Sequence, residues 1–227
     1  MLNRRVLIIF FLLLTGGTFC WAGTIDSGLY TTYTIDTAKT TLSWIVCGSI
    51  SGGTGCYSSG QLGPFGRAGS IVESGKAYDV HEGTVTRYLY VVDQAYGSGQ
   101  EGVALYVYQR VDTIASSFDT TTFTLKKTIS LPLIGGNPAV VFMASNQGFL
   151  VIGTSNSAVP VEVNKRTFVI TPLTIISQIP NSITADNYGY VIVTSANGFF
   201  AVGPSGAIQE DGGGSPFTIN RLLGTQP

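Results

Sequence analysis

A chain of 227 residues with 12 basic and 13 acidic side chains has a net charge of −1, and only 11% of it is charged. That balance excludes a nucleic-acid or anionic-membrane partner held by electrostatics, and abundant Gly, Thr, Ser, Val and Tyr exclude a coiled coil or a disordered chain. What remains is an all-β domain, long enough to bury one sizeable core.

Residues 1–22 read as a secretory signal peptide. Arg4 and Arg5 form a short basic start, Val6 to Leu14 are nine unbroken apolar residues, and Cys20-Trp21-Ala22 places small residues at the −3 and −1 positions of a cleavage site. The apolar run is far short of the ~20 residues of a spanning helix. Phe19 before Cys20 does not fit lipoprotein processing. Cleavage removes Arg4 and Arg5 from the 12 basic groups and none of the 13 acidic ones, which takes the net charge from −1 to −3. The expected product is a secreted or periplasmic protein, residues 23–227, with a single all-β domain and no stable membrane insertion after cleavage.

Along that chain strand signals dominate. Tyr30–Ile35 and Thr40–Val46 are β-rich runs joined by Asp36-Thr37-Ala38-Lys39 and read as an N-terminal hairpin. A Gly-rich stretch from Gly48 to Gly69 follows, with too little apolar sequence to fill a sheet of its own. Cys47 and Cys56, the two cysteines left after cleavage, lie at its start. Their flexible linker lets them pair in an oxidising compartment, so a disulfide is expected. A metal site is the competing reading, but the spacing is wrong for a zinc knuckle and the single histidine, His81, stands alone.

Arg87–Val92, Val103–Val111 and Thr122–Leu131 are the next strands, before a break at residues 131–138. Ala139–Ala144, Phe149–Thr154, Val159–Val163 and Phe168–Ile176 then make a four-stranded unit of the length of one propeller blade. Another unit starts at Ser182 and runs through Tyr190–Thr194 and Phe199–Val202 to Ile208. Its Asn187-Tyr188-Gly189-Tyr190-Val191-Ile192-Val193-Thr194-Ser195 echoes Asn146-Gln147-Gly148-Phe149-Leu150-Val151-Ile152-Gly153-Thr154-Ser155, with position 187 answering to position 146. An earlier unit begins near Ser70 and reaches its matching strand at Tyr88. Short strands and tight turns at a period in the low forties describe a blade of a β-propeller.

The same residues carry a family resemblance. Gly135-Gly136-Asn137-Pro138, the apolar run to Ser145, a polar-Gly turn and Phe149-Leu150-Val151-Ile152 resemble the repeat of YVTN-type, lactonase-like β-propellers. Arg87-Tyr88-Leu89-Tyr90-Val91-Val92-Asp93 with Leu105-Tyr106-Val107-Tyr108 resembles that family's next strand pair. The resemblance implies a propeller of four-stranded antiparallel blades and allows a lactone hydrolase. Such propellers usually close with seven blades, whereas this chain offers three units and a hairpin. The expected fold is therefore a small or partial propeller, closed as a small ring or left as an open stack that loops or a partner chain must cover.

Chemistry-bearing groups are sparse. His81 beside Asp79 and Glu82 is the one acid-base cluster, and it reads as a solvated turn; no Gly-x-Ser-x-Gly elbow exists. Gly97-Ser98-Gly99-Gln100-Glu101-Gly102 matches a dinucleotide string but lies between two strands and opens no helix, so it reads as a loop. Asp93 with Glu101, Asp112 with Asp119, and Glu210-Asp211 flank loops that could offer oxygen ligands to calcium, against the plainer reading of solvated carboxylates. No catalytic residue, metal site or cofactor is implied.

The aromatic pairs offer the better binding hypothesis. Tyr88 and Tyr90 share one face of a strand, Tyr106 and Tyr108 share a face of its neighbour, and the four read either as a structural ladder or as an exposed platform for glycan or polymer contact. Turns near Asn137, Asn146, Asn181 and Asn187 should cluster at one end, and if they need positive φ at Gly148 and Gly189, a β-branched residue there should cost at least about 1 kcal/mol. Three functions compete: a non-catalytic binding or interaction module for a protein or glycan ligand, a lactone-hydrolase-like enzyme, and a structural component of an envelope or extracellular assembly, the last favoured by homo-oligomerisation.

Overall fold

The computed structural model describes residues 20–24, 30–50, 53–79, 83–97, 99, 102–113, 120–132, 138–174, 179–185, 190–196, 198–203 and 208–209. These form sixteen strands in four four-stranded antiparallel sheets, each built from consecutive strands. Sheet A holds β1 (Cys20–Thr24), β2 (Tyr30–Ile35), β3 (Leu42–Ile50) and β4 (Gly53–Leu62). Sheet B holds β5 (Ala68–Asp79), β6 (Thr84–Tyr96), β7 (Gly102–Thr113) and β8 (Thr120–Ser130). Sheet C holds β9 (Val141–Ser145), β10 (Phe149–Thr154), β11 (Ser157–Asn164) and β12 (Ile170–Pro172). Sheet D holds β13 (Pro180–Ala185), β14 (Val191–Ser195), β15 (Gly198–Val202) and β16 (Ile208–Gln209).

The sheets stack face to face in chain order through three apolar seams. Tyr33, Leu42, Trp44 and Val46 of sheet A meet Leu89, Val91 and Tyr108 of sheet B. The opposite face of sheet B, with Tyr90, Val92, Leu105 and Val107, meets Leu150, Ile152, Val161 and Val163 of sheet C. Val151 and Leu173 of sheet C then meet Ile183, Val191, Val193 and Phe200 of sheet D. Among the described residues no such core joins sheet D back to sheet A. The first strands of sheets B, C and D lie side by side, β5 against β9 and β9 against β13, as the inner strands of neighbouring blades do. The molecule is thus all-β in a partial propeller-like arrangement. The two segments that echo one another in sequence are β10 and β14, each the second strand of its sheet.

The N-terminal region differs from expectation, because the Gly-rich stretch supplies β4 on one side of the expected hairpin and Cys20–Thr24 supplies β1 on the other, which makes a full four-stranded sheet. An outermost strand needs little apolar sequence of its own when its ladder partner supplies the packing. Trp44 does so: its ring lies over its cross-strand partner Gly60, where an added Cβ would stand 2.7 Å from a ring carbon. The Asp36–Thr41 turn also anchors the segment between β4 and β5, with the Thr40 carbonyl accepting from the Phe65 amide and the Lys39 carbonyl from the Ala68 amide. Cleavage after Ala22 would fall inside β1, which pairs Cys20–Thr24 with Thr34–Tyr30.

Candidate functional site

Sheet B is the most distinctive part of the molecule because its strands, 11 to 13 residues long, outreach those of sheet C, 3 to 8 residues long. Where sheet C stops, burial in β6 and β7 changes from continuous to alternating. Val85, Arg87, Arg110, Asp112 and Thr121 are buried on the side of sheet A. Thr84, Thr86, Tyr88, Gln109, Val111, Thr113, Thr122 and Thr124, which lie on the other side by strand register, are half-buried or exposed.

The buried side holds a network to which every strand of sheet B contributes. Arg87 and Arg110 are direct cross-strand partners, a repulsive pairing unless anions intervene. Asp112 intervenes: its Oδ2 accepts from Arg87 Nη1 at 2.9 Å, and its Oδ1 accepts from Arg110 Nε at 2.9 Å and from Thr121 Oγ1 at 2.7 Å. Arg110 Nη1 donates to Glu73 Oε1 at 2.8 Å and to Tyr33 Oη at 3.2 Å, and Tyr33 in turn donates to Glu73 at 2.9 Å. Arg110 Nη2 sits 2.9 Å from Asp112 Oδ1 but is not aligned for a hydrogen bond. Two guanidinium and two carboxylate groups balance, which is how charge survives in a site where Arg110 is 0% exposed.

Burial, followed by the Glu73 charge, pushes the Tyr33 phenol well above its ordinary value, so it stays a neutral donor. Burial alone would lower the Arg110 value, but Tyr33, Glu73 and Asp112 together raise it. Phe123 completes the seam, with its ring 4.9 Å from Trp44 and 5.9 Å from the Arg110 guanidinium carbon. The network is closed off from solvent around Arg110, and it fixes the position of sheet A on sheet B. Asp112 is therefore a buried strand residue and not a loop ligand for calcium. Asp93 likewise lies in β6, its carboxylate accepting from the amides of Gly66, Arg67 and Ala95.

The four tyrosines do not join into one ladder. Register places Tyr90 opposite Val107 and Tyr108 opposite Leu89, so Tyr88 and Tyr90 face sheet C while Tyr106 and Tyr108 face sheet A. Two separate pairs result. The rings of Tyr106 and Tyr108 stack at 6.4 Å under the edge of Phe65, and burial, then Tyr106, pushes the Tyr108 phenol up to about 12. Tyr90 is 3% exposed and Tyr108 6%, so each pair keeps one member in a core, whereas Tyr88 at 36% is open at the uncovered end of sheet B.

Cys47 and Cys56 are bonded across directly paired positions of β3 and β4. Such a bond belongs to an oxidising, extracellular type of environment. Among the described residues there is no helix long and apolar enough to cross a membrane, and no cluster of three or more His, Cys, Asp or Glu suited to a metal. Asn146 is committed to its own turn, accepting from the amides of Gly148 and Phe149 and donating to the Gly203 carbonyl. Gly148 is consequently not at positive φ; the Asn146 side chain closes the turn instead. Asn181 is exposed in β13. His81, Glu82, Glu101, Asp119, Asn137, Asn187, Gly189 and Glu210-Asp211 lie outside the described residues, as do the side chain of Asp79 and part of the Gly97–Gly102 loop.

The sequence reading missed Arg87, Arg110 and Glu73. Part of a signal was present, since Arg110 and Asp112 sit at alternate positions of one β-rich run and so share a sheet face; placing Arg87 beside them takes the strand register. No family model matches the chain, and comparison with curated proteins finds no similar sequence. The YVTN-type resemblance rests on the residues that carry it.

Proposed function

We propose that this chain is an exported, non-catalytic binding module whose contact surface is the uncovered face of sheet B around Tyr88. One observation carries this reading: the same stretch of sheet is locked on one side by the Arg87–Asp112–Arg110–Glu73 network and open on the other. A rigid, partly open sheet face is what a binding surface needs and what a core would have covered. Its side chains are hydroxyls, one amide, one valine and one exposed ring, with no charge among Thr84, Thr86, Tyr88, Gln109, Val111, Thr113, Thr122 and Thr124. Their chemistry suits a neutral polyhydroxylated polymer, with the tyrosine ring taking a sugar face and the hydroxyls its rim. The amino-terminal signal and the Cys47–Cys56 bond support export, and the repeat residues support membership of the YVTN-type propellers.

Binding of the full chain to a panel of immobilised neutral polysaccharides tests the reading. Tyr88→Ala is expected to weaken capture at least tenfold with an unchanged melting temperature, while Leu125→Ala, an exposed residue on the other face of sheet B, leaves it intact. Equal binding by both variants would remove the face from consideration.

A structural role in an extracellular assembly is favoured by a separate observation. The outward face of sheet A presents Ile45, 39% exposed, and that of sheet D presents the half-buried Ile192, with no described core covering either. An oligomer by light scattering that dissociates in Ile45→Lys would put assembly ahead of glycan binding.

A further inference from the structure

Strand β11 carries one acidic residue in an otherwise apolar run. Val161 and Val163 turn into the seam between sheets B and C, so the intervening Glu162 lies on the opposite face, level with its cross-strand partner Val151 in the seam between sheets C and D. Glu162 is 7% exposed, and its Oε2 has no hydrogen-bond partner. A buried, unpartnered carboxylate oxygen is costly when charged.

Among the described residues the surrounding strands hold no charged partner for it. The strands β9, β10 and β12, and the described strands of sheet D, contain no acidic or basic residue, and the titratable side chain among sheet D's described residues is Tyr190. The apolar cluster on the Glu162 side of sheet C is formed by Val151, Leu173, Ile183, Val191, Val193 and Phe200, and the other cross-strand partner of Glu162 is Thr171. Lys165, three residues on, donates its ammonium to the Asn146 carbonyl in the adjoining turn. Arg166 is exposed in the same turn.

We propose that Glu162 is a proton-operated latch on the last sheet: protonated, it is a neutral side chain within an apolar seam and sheet D stays seated, whereas ionised it is an uncompensated charge that parts sheet D from sheet C and lets water in. Burial raises the Glu162 carboxyl above the ordinary glutamate value, which agrees in direction. A raised acid means that the seated state holds the proton more tightly than the parted one. The seam is therefore strongest at acid pH, weakens as pH rises through the window above the ordinary glutamate value, and levels off beyond the raised one.

One proton sets the steepness: the opening equilibrium grows by at most about tenfold per pH unit inside the window. Hydrogen exchange of the full chain from about pH 4 to about pH 8, corrected for the intrinsic pH dependence of amide exchange, reads it directly. In the wild type, protection in β14 should fall by up to about tenfold per pH unit while that in β7 holds, and in Glu162→Gln the β14 profile should be flat. Flat β14 protection in the wild type, an equal fall in Glu162→Gln, or a fall shared in step by β7 would each overturn the latch. If Glu162→Gln does not fold, the wild-type profile with β7 as internal reference decides alone.

Discussion

Removing Arg110 would leave Asp112 and Glu73 undercompensated in a largely buried seam, since both take hydrogen bonds from its guanidinium and only Arg87, Thr121 and Tyr33 would remain as donors. A buried pair contributes little net stability over an apolar replacement, but breaking one from a single side costs about 3 to 5 kcal/mol. Arg110→Met is expected to lose that much in denaturant unfolding, whereas Arg166→Met, an exposed turn residue, should change stability by less than about 0.5 kcal/mol. A gain is available at Lys39, which holds φ 59° in the Asp36–Thr41 turn, where its amide donates to the Asp36 carbonyl. Lys39→Gly relieves the left-handed strain and should raise stability by about 0.5 to 1 kcal/mol, read as an upward shift in melting temperature. At this scale the sequence is legible in type more than in direction. Alternation alone puts Tyr88 and Tyr90 on one face and Tyr106 and Tyr108 on another, but relating the two strands requires the register, and a shift of one residue moves every side chain to the other face.

Strand β4 shows how an element can form from almost no apolar sequence. Its residues Gly53–Leu62 pair along β3 from Leu42 to Ile50, and the Cys47–Cys56 bond ties the Gly-rich end of that ladder. The disulfide is legible from two cysteines in an exported chain; the strand is not, because its packing comes from Trp44 on the neighbouring strand and not from its own residues. Gly60→Val should force the Trp44 ring away and cost about 1 to 3 kcal/mol, measured by chemical unfolding and by the change in tryptophan fluorescence. Replacing both cysteines by serine should cost about 2 to 3 kcal/mol by loop closure, with thiol reductant reproducing the loss in the wild type and having no effect on the variant. The echo between residues 146–155 and 187–195 is legible for the opposite reason: β10 and β14 are the second strands of their sheets and each packs its own apolar side chains, β10 on both faces and β14 on one, and such strands read as short apolar runs with a turn before them.

Among the described residues the four sheets are joined only to their chain neighbours, and such a stack has stability graded by position. Sheets B and C each bury two faces, and sheets A and D bury one against the rest. Amides of β6, β7 and β10 are expected to exchange most slowly, those of β2 and β14 markedly faster, and a uniform rate across all four sheets would mean that sheets D and A are joined after all. The number of sheets is less legible than their type, because the count depends on whether residues 48–69 can make a strand, while the all-β class follows from composition and spacing along the whole chain.

That no seam joins sheet D to sheet A among the described residues also has a mechanical meaning. A closed ring shares a load around its circumference, but sheets linked only through these three seams carry it in series, so tension applied between sheet A and sheet D passes through each seam in turn. The A–B seam is riveted by hydrogen bonds from Tyr33 and Arg110, whereas the C–D seam has apolar contacts and the Asn146–Gly203 bond. Pulled from its ends, the molecule should yield first at sheet D, leaving the platform around Tyr88 and the lock beneath it intact.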